Sequence, residues 1–359
     1  MIEFVPLEYY TAVYLNGTFA IVLFTLLHTF LLPINDSRNI AYIKFIGYLL
    51  LAIIVVYLGL RPISFKYFVD MSTYAKHFEY YANGGSIVTT KDVFFHVFMK
   101  ITSTFLSVNN FFLLCSFLYI FPMYKVSKSF FSDYWFYAFL ILISSFQFWA
   151  YGVNGIRNGI ATSFFLMAVA YNNKKIWMAI FLVFAVLFHK SLLLPILALG
   201  LTFLYNKPKI YLLIWLAAIP LSLGLGSIWE TIFASMGFAE DRLGSYLTGE
   251  SASGAFRFDF LLYSASAVFT GWYYIYKRNF NDKLYFHLFN TYLITNAFWI
   301  LIIRANFSNR FAYLSWFIIG IIIIYPFLKE RFYVNQHAVI GTVVALYFGF
   351  TYFMYTLTF

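Results

Sequence analysis

Long apolar runs, each closed by a short polar or basic stretch, set the pattern of the chain. A transmembrane helix needs about 20 largely apolar residues. The runs at 12–32, 41–60, 105–122, 134–151, 157–172, 210–225, 259–276, 285–303, 311–327 and 338–356 are therefore read as spans. Basic clusters punctuate them at Arg38/Lys44, Lys125/Lys128, Lys174/Lys175, Lys207/Lys209, Lys277/Arg278/Lys283 and Lys329/Arg331. All of these fall on one side if the N-terminus is outside and a further apolar stretch, 176–206, enters and leaves from the cytoplasm. Short cytoplasmic loops carry an excess of Lys and Arg, so the pattern predicts that both termini face outward.

The stretch 176–206 would measure about 46 Å as one helix, too little for two crossings of a core about 30 Å thick. It is read as a re-entrant-like hairpin of two short helices, with "FHKS" (Phe188 to Ser191) at its tip. Non-helical backbone at that depth is tolerated only where it lines a cavity in the protein. The alternative is one long tilted span with Lys207 and Lys209 outside. Two long outer segments, 61–104 and 226–258, form the expected substrate-facing side. In the first, Tyr74, Phe78 and Tyr81 recur at helical spacing, which predicts an amphipathic helix at the interface. The second ends in a Gly/Ser-rich stretch suited to a mobile flap. The expected fold is all-α and polytopic, with about 10–12 transmembrane helices in a single membrane domain over 1–359.

Composition removes most other classes. Hydrophobic residues make up 62% of the chain and charged ones 11%, against roughly a quarter charged in soluble domains. The mean hydropathy is +0.78. A lone Cys115 rules out an intrachain disulfide framework and any multi-Cys metal site. The net charge of +10 reports membrane orientation before it suggests nucleic acid. The opening "MIEFVPLEYYTAVY" is acidic and lacks a basic n-region, so the first apolar segment is expected to be retained. No GxxxxGK[ST], HExxH, CxxC or DxD motif occurs. Neither a metal nor a cofactor is expected.

Charge then separates the arginines from the lysines. Ten lysines (Lys44, Lys125, Lys128, Lys174, Lys175, Lys207, Lys209, Lys277, Lys283 and Lys329) lie inside in this topology, with Arg38, Arg278 and Arg331. Arg61, Arg157, Arg242, Arg257, Arg304 and Arg310 lie at the outer face, against the orientation rule. Arginine carries a planar fork that matches phosphate and carboxylate. Arg157, Arg304 and Arg310 each adjoin a span end, where an unpaired charge is costly, and Arg157 sits at a helix N-terminus that itself favours anions. They are the expected diphosphate site, with Arg61 and Arg242 as further candidates. The competing reading is that the outer arginines pair with Asp70, Glu79, Asp92, Glu230, Glu240, Asp241, Glu250 and Asp259, or snorkel to headgroups.

His189 at the hairpin tip is a candidate general acid or base, because imidazole titrates near neutrality. Asp70 could activate a hydroxyl or cap a helix. Gly155 and Gly159 form a GxxxG that reads as helix packing, and His28 and His287 are assigned to packing.

"IRNGIATSFFLMAVAY", "LVFAVLFHKSLLLPILAL" and "SNRFAYLSWFIIGIIIIYP" together resemble the EpsG-type branch of the Wzy polysaccharide polymerases. Their order resembles that family's Arg-led small-apolar run, its Phe-His-x-Ser break and its late Arg-x-x-x-Tyr, the last with one residue fewer here between Arg310 and Tyr313. "DMSTYAKHF" resembles the family's early Asp-x-x-x-Tyr segment. Asn158 stands where Gln is usual, and "KDVFFHVF" replaces an acidic-Pro dipeptide, which leaves the roles of Asp92 and His96 open.

The resemblance implies a GT-C-like, metal-independent glycosyltransferase of the bacterial inner membrane. Such an enzyme joins undecaprenyl-diphosphate-linked repeat units for O-antigen, capsule or exopolysaccharide. It implies catalytic roles for His189, Asp70 and Arg157, and substrate contacts from Arg304, Arg310, Arg61, Asn154, Tyr74, Tyr313 and Arg242. The expected partners are the lipid-linked donor and acceptor, membrane lipids, a chain-length regulator and a flippase, with no nucleic acid. The alternatives are an O-antigen ligase or a flippase or other transporter. The transporter is disfavoured by the lack of a visible inverted repeat.

Overall fold

The computed structural model describes residues 2, 4–87, 89, 92–235, 256–305 and 308–358. Every regular element among them is helical. In chain order these are α1 (Tyr10–Leu31), α2 (Ser37–Gly59), α3 (Val69–Ala82), α4 (Val93–Ser103), α5 (Val108–Phe131), α6 (Trp135–Ile143), α7 (Phe146–Val153) and α8 (Ile156–Ala170). Then follow α9 (Lys175–Phe188), α10 (Leu193–Leu204), α11 (Pro208–Ser235), α12 (Phe258–Trp272), α13 (Lys283–Leu301), α14 (Ser308–Trp316), α15 (Ile319–Lys329) and α16 (Gln336–Thr358).

Among the described residues, six helical stretches are long and apolar enough to cross a membrane: Leu7–Leu31, Ser37–Gly59, Val108–Ile143, Pro208–Gly226, Ser308–Lys329 and Gln336–Thr356. The chain is a multi-pass membrane protein. One expected span is instead broken by small polar residues. The run 134–151 splits at Ser144–Ser145, whose hydroxyls donate back to the carbonyls of Ile141 (3.3 Å) and Leu142 (2.7 Å). Such back-bonding offers the chain an alternative to continued helix. The stretch 176–206 breaks where "FHKS" stands. His189 is extended (φ −156°, ψ 119°) and Lys190–Leu192 form a 3₁₀ turn. At 1.5 Å per residue α9 is about 21 Å long and α10 about 18 Å, so neither spans a bilayer core.

The described chain divides into two compact units, Met1–Lys190 with Phe327–Phe359, and Ser191–Pro326. In the first, α1 packs on α16, α2 on α5, α5 on α6 and α8, and α8 on α9. Every residue of α6 is buried, as expected of a helix that is apolar all round. Close approach is bought with glycine: a Cβ on Gly59 of α2 would lie 2.7 Å from the Leu113 Cα of α5. Gly159 faces the Tyr119 ring, with a Cβ–ring separation of 3.1 Å, so the GxxxG glycine is a packing contact. His28 is bonded to Asn39 at 3.0 Å. In the second unit α13 packs against α10, α11, α12 and α14, and His287 is bonded to Thr202 at 2.7 Å. The expected flap, and with it Arg242, Glu240, Asp241 and Glu250, lies mostly in 236–255, outside the described residues.

Candidate functional site in the segment between α2 and α5

The segment between α2 and α5 folds as α3 and α4, and α3 follows the predicted spacing. Its Tyr74, Phe78 and Tyr81 are buried together with Met71 and Ala75, while Asp70, Lys76 and Glu79 are exposed. Helix α4 carries an aromatic face: Phe188, the last residue of α9, sits among Phe94, Phe95, Phe98 and Phe164 at ring centroids 5.2–6.3 Å apart. The residue after that plug is His189, partly buried, with its backbone N–H donating to the Ala185 carbonyl at 3.1 Å.

Arg157 stands in the first turn of α8 and forms an ion pair with Asp92. The Asp92 side chain is 5% exposed and that of Arg157 21%, so the pair is closed on the carboxylate side and open on the guanidinium side. Asp92 precedes α4 in left-handed conformation (φ 48°, ψ 41°). Asp visits that region at a modest cost that surrounding structure must hold in place. The Arg157 guanidinium also lies 5.7 Å from the Tyr74 ring centroid. Burial, partly offset by Arg157, pushes the Tyr74 phenol up to about 12. Asp70 acts on the same phenol from one turn earlier on α3.

One turn after Asp92 on α4 stands His96, 8% exposed. Its Nδ1 lies 2.8 Å from the Tyr81 hydroxyl, and its ring is perpendicular to that of His77 with centroids 5.2 Å apart. Burial lowers the His96 pKa, helped by the charges of His77 and Arg157 and opposed by Asp92. The ring is therefore neutral at pH 7.

Arg61 has a different setting. It is 1% exposed, with its guanidinium donating to the carbonyls of Leu58 and, at 3.1 Å, Val153, and stacked 5.4 Å above the Phe68 ring. Burial draws its pKa down to about 10, so it stays charged at neutral pH. It closes the C-terminal ends of α2 and α7 and so fixes the turn from which Arg157 emerges. Beside it is a cavity of about 10 Å³, the room of one water, lined in part by Cys115, Tyr119 and Tyr151. Asn154 is exposed in the α7–α8 turn.

Arg304, Arg310 and Tyr313 belong to the second unit. Arg304 is partly buried, and its side chain comes within 3.7 Å of where a Cβ on Gly226 would stand. Arg310 is exposed and Tyr313 buried. Arg257 is held by both oxygens of Asp259 at 2.9 and 2.6 Å and lies 3.6 Å over the Phe260 ring. The structure thus brings Arg157, Tyr74 and Asp70 into one neighbourhood of the first unit. It adds Asp92, His96, His77 and Tyr81, to which the sequence reading gave no catalytic role. The signal for the additions is an Asp and a His four residues apart, hence on one helical face, opposite a helix with His and Tyr at the same spacing.

A family model described as the EpsG family matches residues 48–359. The chain belongs to the EpsG family. Its members are Wzy-type polysaccharide polymerases, so the protein is a polymerase of the glycosyltransferase type. The match takes in the whole α3/α4/α8 neighbourhood, α9 and the second-unit arginines. Searches of curated proteins and of solved structures give no match.

Proposed function

We propose that this EpsG-family protein polymerises undecaprenyl-diphosphate-linked oligosaccharide repeat units at the outer face of the bacterial inner membrane. In this reading the donor and acceptor are both lipid-linked and the reaction needs no metal. The acceptor hydroxyl oxygen bonds to the donor's anomeric carbon as the bond to the diphosphate oxygen breaks. Undecaprenyl diphosphate leaves with the charge.

The observation that carries the proposal is the placement of Arg157: a partly exposed guanidinium at the N-terminal turn of α8, oriented by the buried Asp92. Helix N-terminal N–H groups and an arginine fork both suit a phosphate. They stabilise charge that develops on the leaving oxygen more than charge already present. Asp92 keeps the pair neutral until the diphosphate arrives and sets the direction of the fork. Arg304, Arg310 and Tyr313 serve as further substrate contacts, and Asp70 and His189 are the acids and bases that the sequence offers for the acceptor proton. Arg61 acts by holding the α7–α8 turn. A chain-length regulator and a flippase are the expected partners in the membrane.

The reaction is tested with purified protein, lipid-linked repeat units and EDTA, read on a gel. A ladder of products supports the proposal, whereas a single addition to another acceptor lipid points to a ligase. Orientation is tested with Glu79→Cys, an exposed α3 position, in a Cys115→Ala background. Labelling by an impermeant maleimide in intact cells supports the outer face, and labelling only after the membrane is opened rejects it.

A further inference from the structure

In the α3/α4/α8 neighbourhood His96 is a buried histidine, 8% exposed, and the reaction proposed above needs a group that takes a proton near neutral pH. Resting on that polymerase reading, we propose that His96 is the base that takes the acceptor hydroxyl proton, positioned by Tyr81 and relayed to solvent by His77.

The other groups around it are less suited. Asp92 is committed to Arg157. Tyr74 holds its proton up to about 12. Asp70 is exposed on α3, and an exposed carboxylate is a weak base at neutral pH. His96 faces His77 and Tyr81 from α3, Asp92 from the turn before its own helix and Arg157 from α8. The side of α4 toward α9 is filled by the ring of Phe188. The outer turns of α5, "VNNFFLL", bring no charge.

In the active tautomer Nδ1–H donates to the Tyr81 hydroxyl oxygen, and Nε2 presents its lone pair. The acceptor hydroxyl gives its proton to Nε2 as its oxygen bonds to the anomeric carbon, and the anomeric C–O bond to the diphosphate breaks. The imidazolium so formed is stabilised by the Asp92 carboxylate one turn away. Its proton then passes to His77, which is partly open to solvent, and the diphosphate leaves against Arg157. A base works best when its pKa lies near or somewhat below the working pH. Burial of His96 lowers its pKa, so the ring is unprotonated and ready at pH 7.

The test is turnover of defined lipid-linked repeat units against pH for wild type, His96→Gln and Tyr81→Phe, with substrate affinity measured separately by binding of a fluorescent lipid-linked analogue. Wild type should lose rate about tenfold per pH unit below the His96 pKa, which lies under the ordinary histidine value near 6.5. His96→Gln should bind the analogue within about threefold of wild type, lose roughly 10²-fold or more in kcat, and lose the acid limb. Tyr81→Phe removes the hydroxyl bonded to Nδ1, so it should shift the midpoint of the acid limb and lower kcat without changing KM. If His96→Gln fails to fold, that shift decides. Wild-type turnover in His96→Gln, or an unmoved acid limb in Tyr81→Phe, overturns the role of His96 and leaves the polymerase reading standing. No product from wild type overturns both.

Discussion

Arg61 and Arg157 are the same residue type, both at helix ends, and they occupy opposite electrostatic settings. Arg61 caps the C-terminal carbonyls of α2 and α7, where the helix dipole is negative and a cation is stabilised. It is fully buried and its charge is met by backbone. Arg157 stands at the N-terminal turn of α8, where the same dipole disfavours a cation. It is held there by a buried carboxylate and remains partly open. One arginine makes the fold; the other keeps a partly open positive charge at a helix end that disfavours it. Position at a span end does not separate the two roles, whereas helix polarity and burial do.

Three substitutions sharpen this contrast. The largest effect on stability is expected from Arg61→Met, which leaves the Leu58 and Val153 carbonyls without their donor. Hydrogen bonds to charged groups are worth about 1.5–3 kcal/mol each, so a loss of roughly 3–6 kcal/mol is expected. It is read as a lowered unfolding midpoint in detergent. Protein that remains folded should keep substrate affinity. A midpoint equal to wild type would remove the structural role.

Asp92→Asn comes next. Asn tolerates the left-handed backbone of this position, so the fold should survive, but Arg157 loses its counter-charge. Binding of the diphosphate lipid should tighten several-fold while kcat falls about tenfold or more, because the fork is no longer aimed. Weaker binding of the lipid would mean that Asp92 itself contacts substrate. The smallest effect is expected from Tyr74→Phe. It keeps the ring beneath Arg157 and removes only the hydroxyl, so a change of about threefold in KM with unchanged stability is expected. A loss as large as that of Asp92→Asn would make Tyr74 a catalytic group.

Apolar length located the six described stretches long and apolar enough to cross a membrane, but it also marked runs such as 134–151 and 157–172 that do not form such a helix. The polar break in "FHKS" was visible as a stretch too long for one crossing and too short for two. The α3 face followed from the spacing of Tyr74, Phe78 and Tyr81. The division of 134–151 at Ser144–Ser145 was not legible from hydropathy, because serine costs little in such a scale and its effect comes from a local hydrogen bond. Arg157 was legible as an exception to the orientation rule. Arg61 gave the same signal and was grouped with it, since its burial depends on Phe68 and on a carbonyl 92 residues away. The carboxylate of Asp92 reaches Arg157 across 65 residues. Sequence could name Asp92 only as one of several acids available to the outer arginines.

The central claim is that Arg157 acts through its fork on the leaving diphosphate rather than by holding the fold together. The most direct measurement is turnover of lipid-linked repeat units by Arg157→Lys and Arg157→Ala, normalised to folded protein by unfolding midpoint. Lysine keeps the charge but not the planar fork, so both variants should stay folded and lose roughly 10²-fold or more in kcat, with Lys recovering little. Near-normal polymer from folded Arg157→Ala would contradict the account.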